Sequence, residues 1–451
     1  MRNTRLSLTL LLLSCAAAPA IAQVEIVSPK EGAELSGVVE VVARAVPPRG
    51  ERLDRVMVQT QSGEAIRLAP TVADSYSATL DTAKLRNGRQ ALLVIAGIKG
   101  LDASRFKHQD KKWEQRIENL MAEIRVTVRN PYHFYWGDLH AHTSYSDGSR
   151  LPKDAYEYAR DKAKLDFFAV TDHSEELTYQ EYADIIAQAD RADQPGRFVA
   201  LYGAEATQDT GHLNFYLSPT PRLSARLDDT YQAIVSMGLL GHFNHPDPKP
   251  RPNQGWRDDF QGFHYAPAAD RSMAMVEVRT PEEEAAYIAM LNAGWHVGAA
   301  GCEDQHDAKW GRGPTWTVAL ARELTREGIM EALWSRRTYS ARDRNLELTF
   351  TLDGEDMGSR ITRPAGTLTC LVTVADPSGV APTGEPDRGE VTDAIDLFLD
   401  GRIAQSVRPK LAKYAWAVPV TLSPGEHYCF VRVTQAGGLM SWSSPIWVSA
   451  Y

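Results

Sequence analysis

The chain has 451 residues, enough for about three domains of ~150 residues. It is 43% hydrophobic and 24% charged, which excludes a disordered chain; its 58 acidic against 49 basic residues, net charge −9, exclude a protein that wraps a polyanion and leave open only a local basic pocket. Its four cysteines exclude a disulfide-dense scaffold.

Residues 1–22 read MRNTRLSLTLLLLSCAAAPAIA. Arg2 and Arg5 make a positive start, Leu6 to Leu13 an apolar run, and Ala20-Ile21-Ala22 a small-residue cleavage site. This pattern predicts a secretory signal peptide and an exported protein, periplasmic or secreted. Lipid attachment at Cys15 is the alternative. No later stretch is apolar enough for a transmembrane segment. The mature chain keeps Cys302, Cys370 and Cys429, too few for a zinc module of four thiolates. Cys370 and Cys429 lie in strand-like runs and are either bridged or buried as free thiols.

Residues 23–129 carry β-branched runs at Val38–Ala45, Arg55–Thr60, Ala91–Ile95 and Ile124–Val128. Gly, Pro and Ser bound these runs, as turns require. They predict an N-terminal immunoglobulin-like β-sandwich, interrupted by a polar, helix-prone stretch at Ala103–Met121. In residues 130–344 the period changes. Short strands at Asp166–Val170, Phe198–Tyr202, His212–Leu217, Leu239–Phe243, Ala274–Val278 and His296–Ala300 alternate with helices. The helices are Tyr179–Ala192, Asp229–Met237, Pro281–Ala293 and Thr325–Ser335. Such alternation predicts an α/β region with parallel strands, and its length suits a closed or nearly closed barrel. Residues 345–451 return to β-runs at Leu346–Leu352, Thr367–Val374, Ile395–Leu399, Trp416–Leu422, Tyr428–Val433 and Pro445–Val448. They predict a C-terminal β-sandwich.

Ten of the twelve histidines fall between His133 and His306, less than half of the chain. Polar clusters sit where apolar runs end: His140 and His142, Asp172 and His173, Glu205, His245, and Asp304 and His306. In a barrel those strand ends share one face. Imidazole with carboxylate suits Zn2+, Mn2+ or Fe2+. His140 and His142 alternate along an extended segment and point to the same side, and Asp304 and His306 repeat the spacing. A carboxylate such as Glu205 could bridge two ions.

These segments resemble a known family. Gly-Asp-Leu-His-Ala-His-Thr-Ser-Tyr-Ser-Asp-Gly (137–148) is similar to the first motif of the polymerase and histidinol phosphatase (PHP) superfamily. Thr-Asp-His (171–173), Gly-Ala-Glu (203–205), Gly-His-Leu-Asn (211–214), Asn-His-Pro (244–246) and Asp-Gln-His (304–306) follow in that family's order. The resemblance covers residues 134–344. With the flanking β regions and Trp-Ser-Ser-Pro-Ile-Trp (442–447), it is nearest the exported CehA/McbA-type metallohydrolases. It implies a distorted (β/α)7 TIM-like barrel with two or three divalent ions. One ion would sit on His140, His142, Glu205 and Asp304. A second would use Glu205, His212 and His245, and a third Asp147, His173 and His306. Two positions depart from the pattern: Asp147 stands where some members have His, and Cys302-Glu303 where small residues are common.

Several residues keep more than one reading. Asp172 orients a ligand histidine or caps a strand end. His242 is a general acid, a helper of the ligands, or a packed strand histidine. Glu277 is a pocket acid or an ordinary strand end. The loop Asp247–Ala269, with Arg251, Trp256, Arg257, Phe260, Phe263 and Tyr265, borders the pocket. Arg279 and Arg312 are phosphate-binding or simply solvated. The leading expectation is a metal-dependent hydrolase acting on a small-molecule phosphoester, with carbamates or carboxyl esters as alternatives. A non-catalytic scaffold binding a glycan or a partner is the competing class, the partners of the β regions being open. Export and acidity speak against nucleic acid.

Overall fold

The computed structural model describes residues 23–451 except 49, 62, 64, 83–84, 86–87, 99–119, 129–130, 209, 250–257 and 377–390. The signal-peptide segment, nearly all of Ala103–Met121, and Arg251, Trp256 and Arg257 lie outside the described residues. The chain divides into two compact units, Met1–Asn130 and Pro131–Tyr451.

The first unit is entirely β among its described residues. Its strands are β1 (Gln23–Ser28), β2 (Glu34–Leu35), β3 (Val38–Val46), β4 (Leu53–Thr60), β5 (Ala65–Pro70), β6 (Ser75–Asp81), β7 (Gly88–Ile98) and β8 (Met121–Val128). They form one hydrogen-bonded sheet in the order β1-β3-β6-β5-β4-β7-β8-β2. Inward residues alternate along each strand. Val41, Ala43, Val58, Leu80, Leu92 and Val94 are fully buried in the shared core. Strand β5 links the two halves of this sheet, pairing with β4 along Ala65–Leu68 and with β6 at Ala69 and Pro70.

The second unit begins with β9 (His133–Asp138), β10 (Phe167–Val170), β11 (Val199–Gln208), β12 (Gly211–Tyr216), β13 (Leu240–Phe243), β14 (Met273–Glu277), β15 (Gly298–Ala300), β16 (Trp316–Ala321) and β17 (Thr338–Ala341). The sheet runs β15-β14-β13-β12-β11-β10-β9-β16-β17 and continues into strands from the end of the chain. The expected (β/α)7 barrel does not form. Strand β12 is antiparallel to β11 and β13, and β16 is antiparallel to β9 and β17. The physical reason is connection length. A parallel crossover needs a dozen or more residues, and only two separate β11 from β12. The described residues hold 27 strands against six helices, so strands dominate.

Parallel order survives where the helices fit. Pro152–Asp161 connects β9 to β10, Tyr179–Ala192 connects β10 to β11, and Pro281–Ala293 connects β14 to β15. Thr178 caps the second of these through its side chain on Glu181 N, and Glu181 returns the bond, so the strand-to-helix turn is fixed at that point. Strands β9, β10, β11, β13, β14 and β15 thus all point one way. Their carboxyl ends lie on one rim.

The last part adds β18 (Glu347–Leu352), β19 (Glu355–Asp356), β20 (Arg360–Arg363), β21 (Gly366–Ala375), β22 (Thr392–Leu399), β23 (Arg402–Val407), β24 (Lys413–Leu422), β25 (Gly425–Gln435), β26 (Met440–Ser443) and β27 (Ile446–Ala450). Strands β26, β25, β22 and β23 extend the large sheet from β17, while β19-β18-β21-β24 form a separate sheet. Leu348, Phe350, Val372 and Val374 of the small sheet share a core with Ile395, Leu397, Val431 and Val433 of the large one. Cys370 and Cys429 are buried there as free thiols. The C-terminal strands also cover Pro281–Ala293: Arg432 and Trp442 Nε1 both reach the Glu284 carboxylate, at 2.8 and 2.6 Å.

Candidate metal centre

The rim brings together side chains from segments far apart in sequence. His140 and His142 follow β9, and the His142 amide bonds Gln305 O at 3.0 Å. His173 follows β10, where it bridges to Glu205 in register. Glu205 and His212 sit on the β11–β12 hairpin, His245 follows β13, and Asp304 and His306 follow β15. Asp304 has φ 55°, a left-handed conformation that Asp tolerates better than most residues.

Glu205 is central. Its Oε2 lies 3.2 Å from His140 Nε2, 3.1 Å from His142 Nε2 and 3.4 Å from His173 Nδ1. Its Oε1 lies 3.1 Å from His212 Nδ1 and 3.5 Å from His245 Nε2. Asp304 Oδ1 is 3.2 Å from His140 Nε2 and 3.1 Å from His142 Nε2, and those two nitrogens are 3.1 Å apart. Asp147 Oδ1 is 3.2 Å from His306 Nε2 and 3.5 Å from His142 Nδ1; its Oδ2 is 3.7 Å from His173 Nε2. All nine expected ligand residues are thus in one cluster. His142 faces two of its parts, and His173 stands between Glu205 and Asp147.

These distances fit metal ions. A tetrahedron with arms of about 2.0 Å has edges of about 3.3 Å. Five donor pairs among His140, His142, Glu205 and Asp304 lie at 3.1–3.2 Å. The charges agree as well. Burial opposes protonation of His140 and His142, yet the adjoining carboxylates outweigh it and hold His140 well above its ordinary value and His142 at about 9. Glu205 is held well below the carboxylate range despite burial, by His140, His142 and His212. The carboxylates draw in positive charge, which bound cations would supply in place of protons. The donors are imidazole nitrogens and carboxylate oxygens, a set that suits Zn2+, Mn2+ or Fe2+.

A surrounding layer fixes the donors. The Glu277 carboxylate, fully buried, takes His140 Nδ1 at 2.8 Å and the His245 amide at 2.8 Å. Arg279 lies 3.3 Å from Glu277, 2.7 Å from Glu283 and on Cys302 O, so its guanidinium is engaged inside the protein. Asn244 donates to Glu205 Oε1 at 2.7 Å, and Thr207 Oγ1 meets His173 Nδ1 at 2.9 Å. Asp172 accepts from Thr143 N and Oγ1, both at 2.7 Å, and from Ser146 Oγ at 2.6 Å. It therefore positions the loop carrying His142 and Asp147. Burial raises its carboxyl, an effect those three donors oppose. His242 is fully buried on β13 with Nδ1 2.7 Å from Tyr216 O–H, and burial lowers it to about 4. Phe260 and Phe263 belong to the apolar core. Exposure grows from none at His140 and His142 to 35% at His306 and 49% at Asp147, so the cluster opens on that side.

The sequence leaves Glu277 with two readings and gives no role to Thr207 or, within Asn-His-Pro (244–246), to Asn244. Glu277 ends a strand in line with His140, and that position was the available signal. Asn244 stands beside His245 in the Asn-His-Pro motif, whereas nothing local distinguishes Thr207.

No protein-family model matches the chain. Uncharacterised proteins of Chlamydia muridarum and Chlamydia trachomatis are each 23% identical over 72% of this chain. The match spans 59% of the length of each of these relatives. A crystal structure of a two-domain protein from Bacteroides vulgatus, containing a predicted PHP-like metal-dependent phosphoesterase, is similar over 67% of this chain and 91% of that one, with 18% identity and a TM-score of 0.40.

Proposed function

We propose that the chain is an exported metal-dependent hydrolase of the PHP type, acting on a small-molecule phosphoester. The observation that carries this reading is the meeting of nine imidazole and carboxylate side chains at one rim. His140, His142, Glu205 and Asp304 would hold one ion; Glu205, His212 and His245 a second; Asp147, His173 and His306 a third. Bound divalent ions supply Lewis acidity and a water activated near neutral pH. Glu205 faces two ring sets with its two oxygens and holds them in register. Asp172 keeps the His142–Asp147 loop in place, and Glu277 directs the His140 ring so that Nε2 faces the cluster. Substrate would enter on the open Asp147–His306 side. Phosphoesters lead because of the family resemblance; carbamates and carboxyl esters are the alternative within the CehA/McbA-type branch. Purified mature protein assayed on phosphoester, carboxyl-ester and carbamate panels separates these classes. Hydrolysis lost in both His140→Ala and His142→Ala supports the reading. Hydrolysis unchanged in both variants refutes it.

A further inference from the structure

A second polar cluster lies in the interior, joined to the open centre by Glu277. His242 (β13), Glu277 (the end of β14) and Cys302 (after β15) are all fully buried. One ligand atom from each lies within 4.8 Å of the others. The His242 ring is already held at Nδ1 by Tyr216, and its Nε2 has no hydrogen-bond partner among the described residues. The Cys302 thiol has a long contact to Thr317 Oγ1, at 3.8 Å. Asp138 lies within electrostatic reach of Cys302 and Glu277, and its Oδ2 is likewise buried without a partner. A native interior leaves few such atoms unsatisfied, so two in one neighbourhood require an explanation.

We propose that His242, Cys302 and Glu277 form an enclosed cation site that takes one divalent ion with a taste for thiolate, of the Zn2+ kind. Imidazole, thiolate and carboxylate are the three side-chain donors that zinc accepts, and a soft sulfur selects it over magnesium or calcium. Arg279 already has Glu283 as a partner, so a divalent ion would offset the negative charge that Glu277 and a Cys302 thiolate bring to the interior. Ion uptake releases the thiol proton to solvent as the sulfur–metal bond forms. Glu277 also binds His140 Nδ1, so this ion would support the open centre from beneath without entering it.

The test uses the full mature protein, stripped with chelator and refilled with Co2+. Sulfur ligation gives a near-ultraviolet charge-transfer band that nitrogen and oxygen ligands do not. The expected result is that band in the parent protein, its loss in Cys302→Ser and in His242→Gln, and one equivalent less cobalt in both. A second variant pair guards against misfolding of Cys302→Ser. Cys370→Ala with Cys429→Ala leaves Cys302 the only thiol after residue 22, and the band must persist there. Cobalt bound at two or three equivalents without the band overturns the enclosed site and leaves the open centre standing. A band that survives Cys302→Ser also overturns it. No cobalt at all refutes both readings.

Discussion

Asp172 offers a sharp test of how the open centre is held. Its carboxylate takes three hydrogen bonds from the loop between His142 and Asp147. A hydrogen bond to an ionised acceptor contributes about 1.5–3 kcal/mol, and a neutral one about 0.5–1.5 kcal/mol. Asp172→Ala removes all three and orphans the Thr143 amide. Burial of the charge already cancels part of the gain, as its raised carboxyl shows. Three bonds to the ionised acceptor amount to about 4.5 kcal/mol at the low end, and the burial cost brings the net loss to about 3 kcal/mol. Asp172→Asn keeps an oxygen for Thr143 N and Ser146 and turns an amide toward the Thr143 hydroxyl, which can accept. Its cost should be about 1–2 kcal/mol. Urea unfolding followed by tryptophan fluorescence measures the loss, and peptide hydrogen exchange over 140–148 locates it. The expected order is parent, Asn, Ala, with faster exchange at Thr143 in the Ala variant. Equal stability and unchanged exchange in Asp172→Ala would show that the loop holds itself.

Gly203→Ala should destabilise by about 3 kcal/mol or more, because its Cβ would lie 2.4 Å from the Phe215 carbonyl oxygen in the hairpin that carries Glu205 and His212; a soluble variant with parent-like unfolding contradicts this. Glu284→Ala leaves Arg432 with Asp396 alone and strips Trp442 Nε1 of its acceptor, so unfolding should come about 3 kcal/mol earlier, read by urea titration. Burial raises Asp166 from 3.8 to about 6. Its folded value exceeds the unfolded one, so its contribution is full below about pH 4 and is lost as pH rises toward 6. Asp166→Asn should consequently gain up to about 3 kcal/mol at pH 7 and nothing at pH 3.5, as paired urea titrations would show.

The site was more legible in the sequence than the fold around it. His140 and His142, then Asp304 and His306, announce themselves by two-residue spacing after apolar runs, and helices Tyr179–Ala192 and Pro281–Ala293 have the expected bounds. The barrel failed at β12. Its run looks like any other buried strand, and only the two-residue connection before it forbids the parallel arrangement. Strands β16 and β17 are short and wholly buried, with no alternation to read, and their pairing to β9 and β26 depends on contacts more than a hundred residues away. Glu277 kept two readings, pocket acid or strand end, because its partners, His140 and the His245 amide, come from other segments. Arg279 read as phosphate-binding or solvated for the same reason, since a sequence does not show that Glu277 and Glu283 already hold it.

The central claim is that the rim holds ions. Elemental analysis of purified mature protein, beside the His140→Ala/His142→Ala double variant, tests it most directly. At least two equivalents of zinc, manganese or iron in the parent and a marked loss in a folded double variant are the predicted result. A parent protein that carries no transition metal, and takes none up on dialysis against each ion, contradicts it.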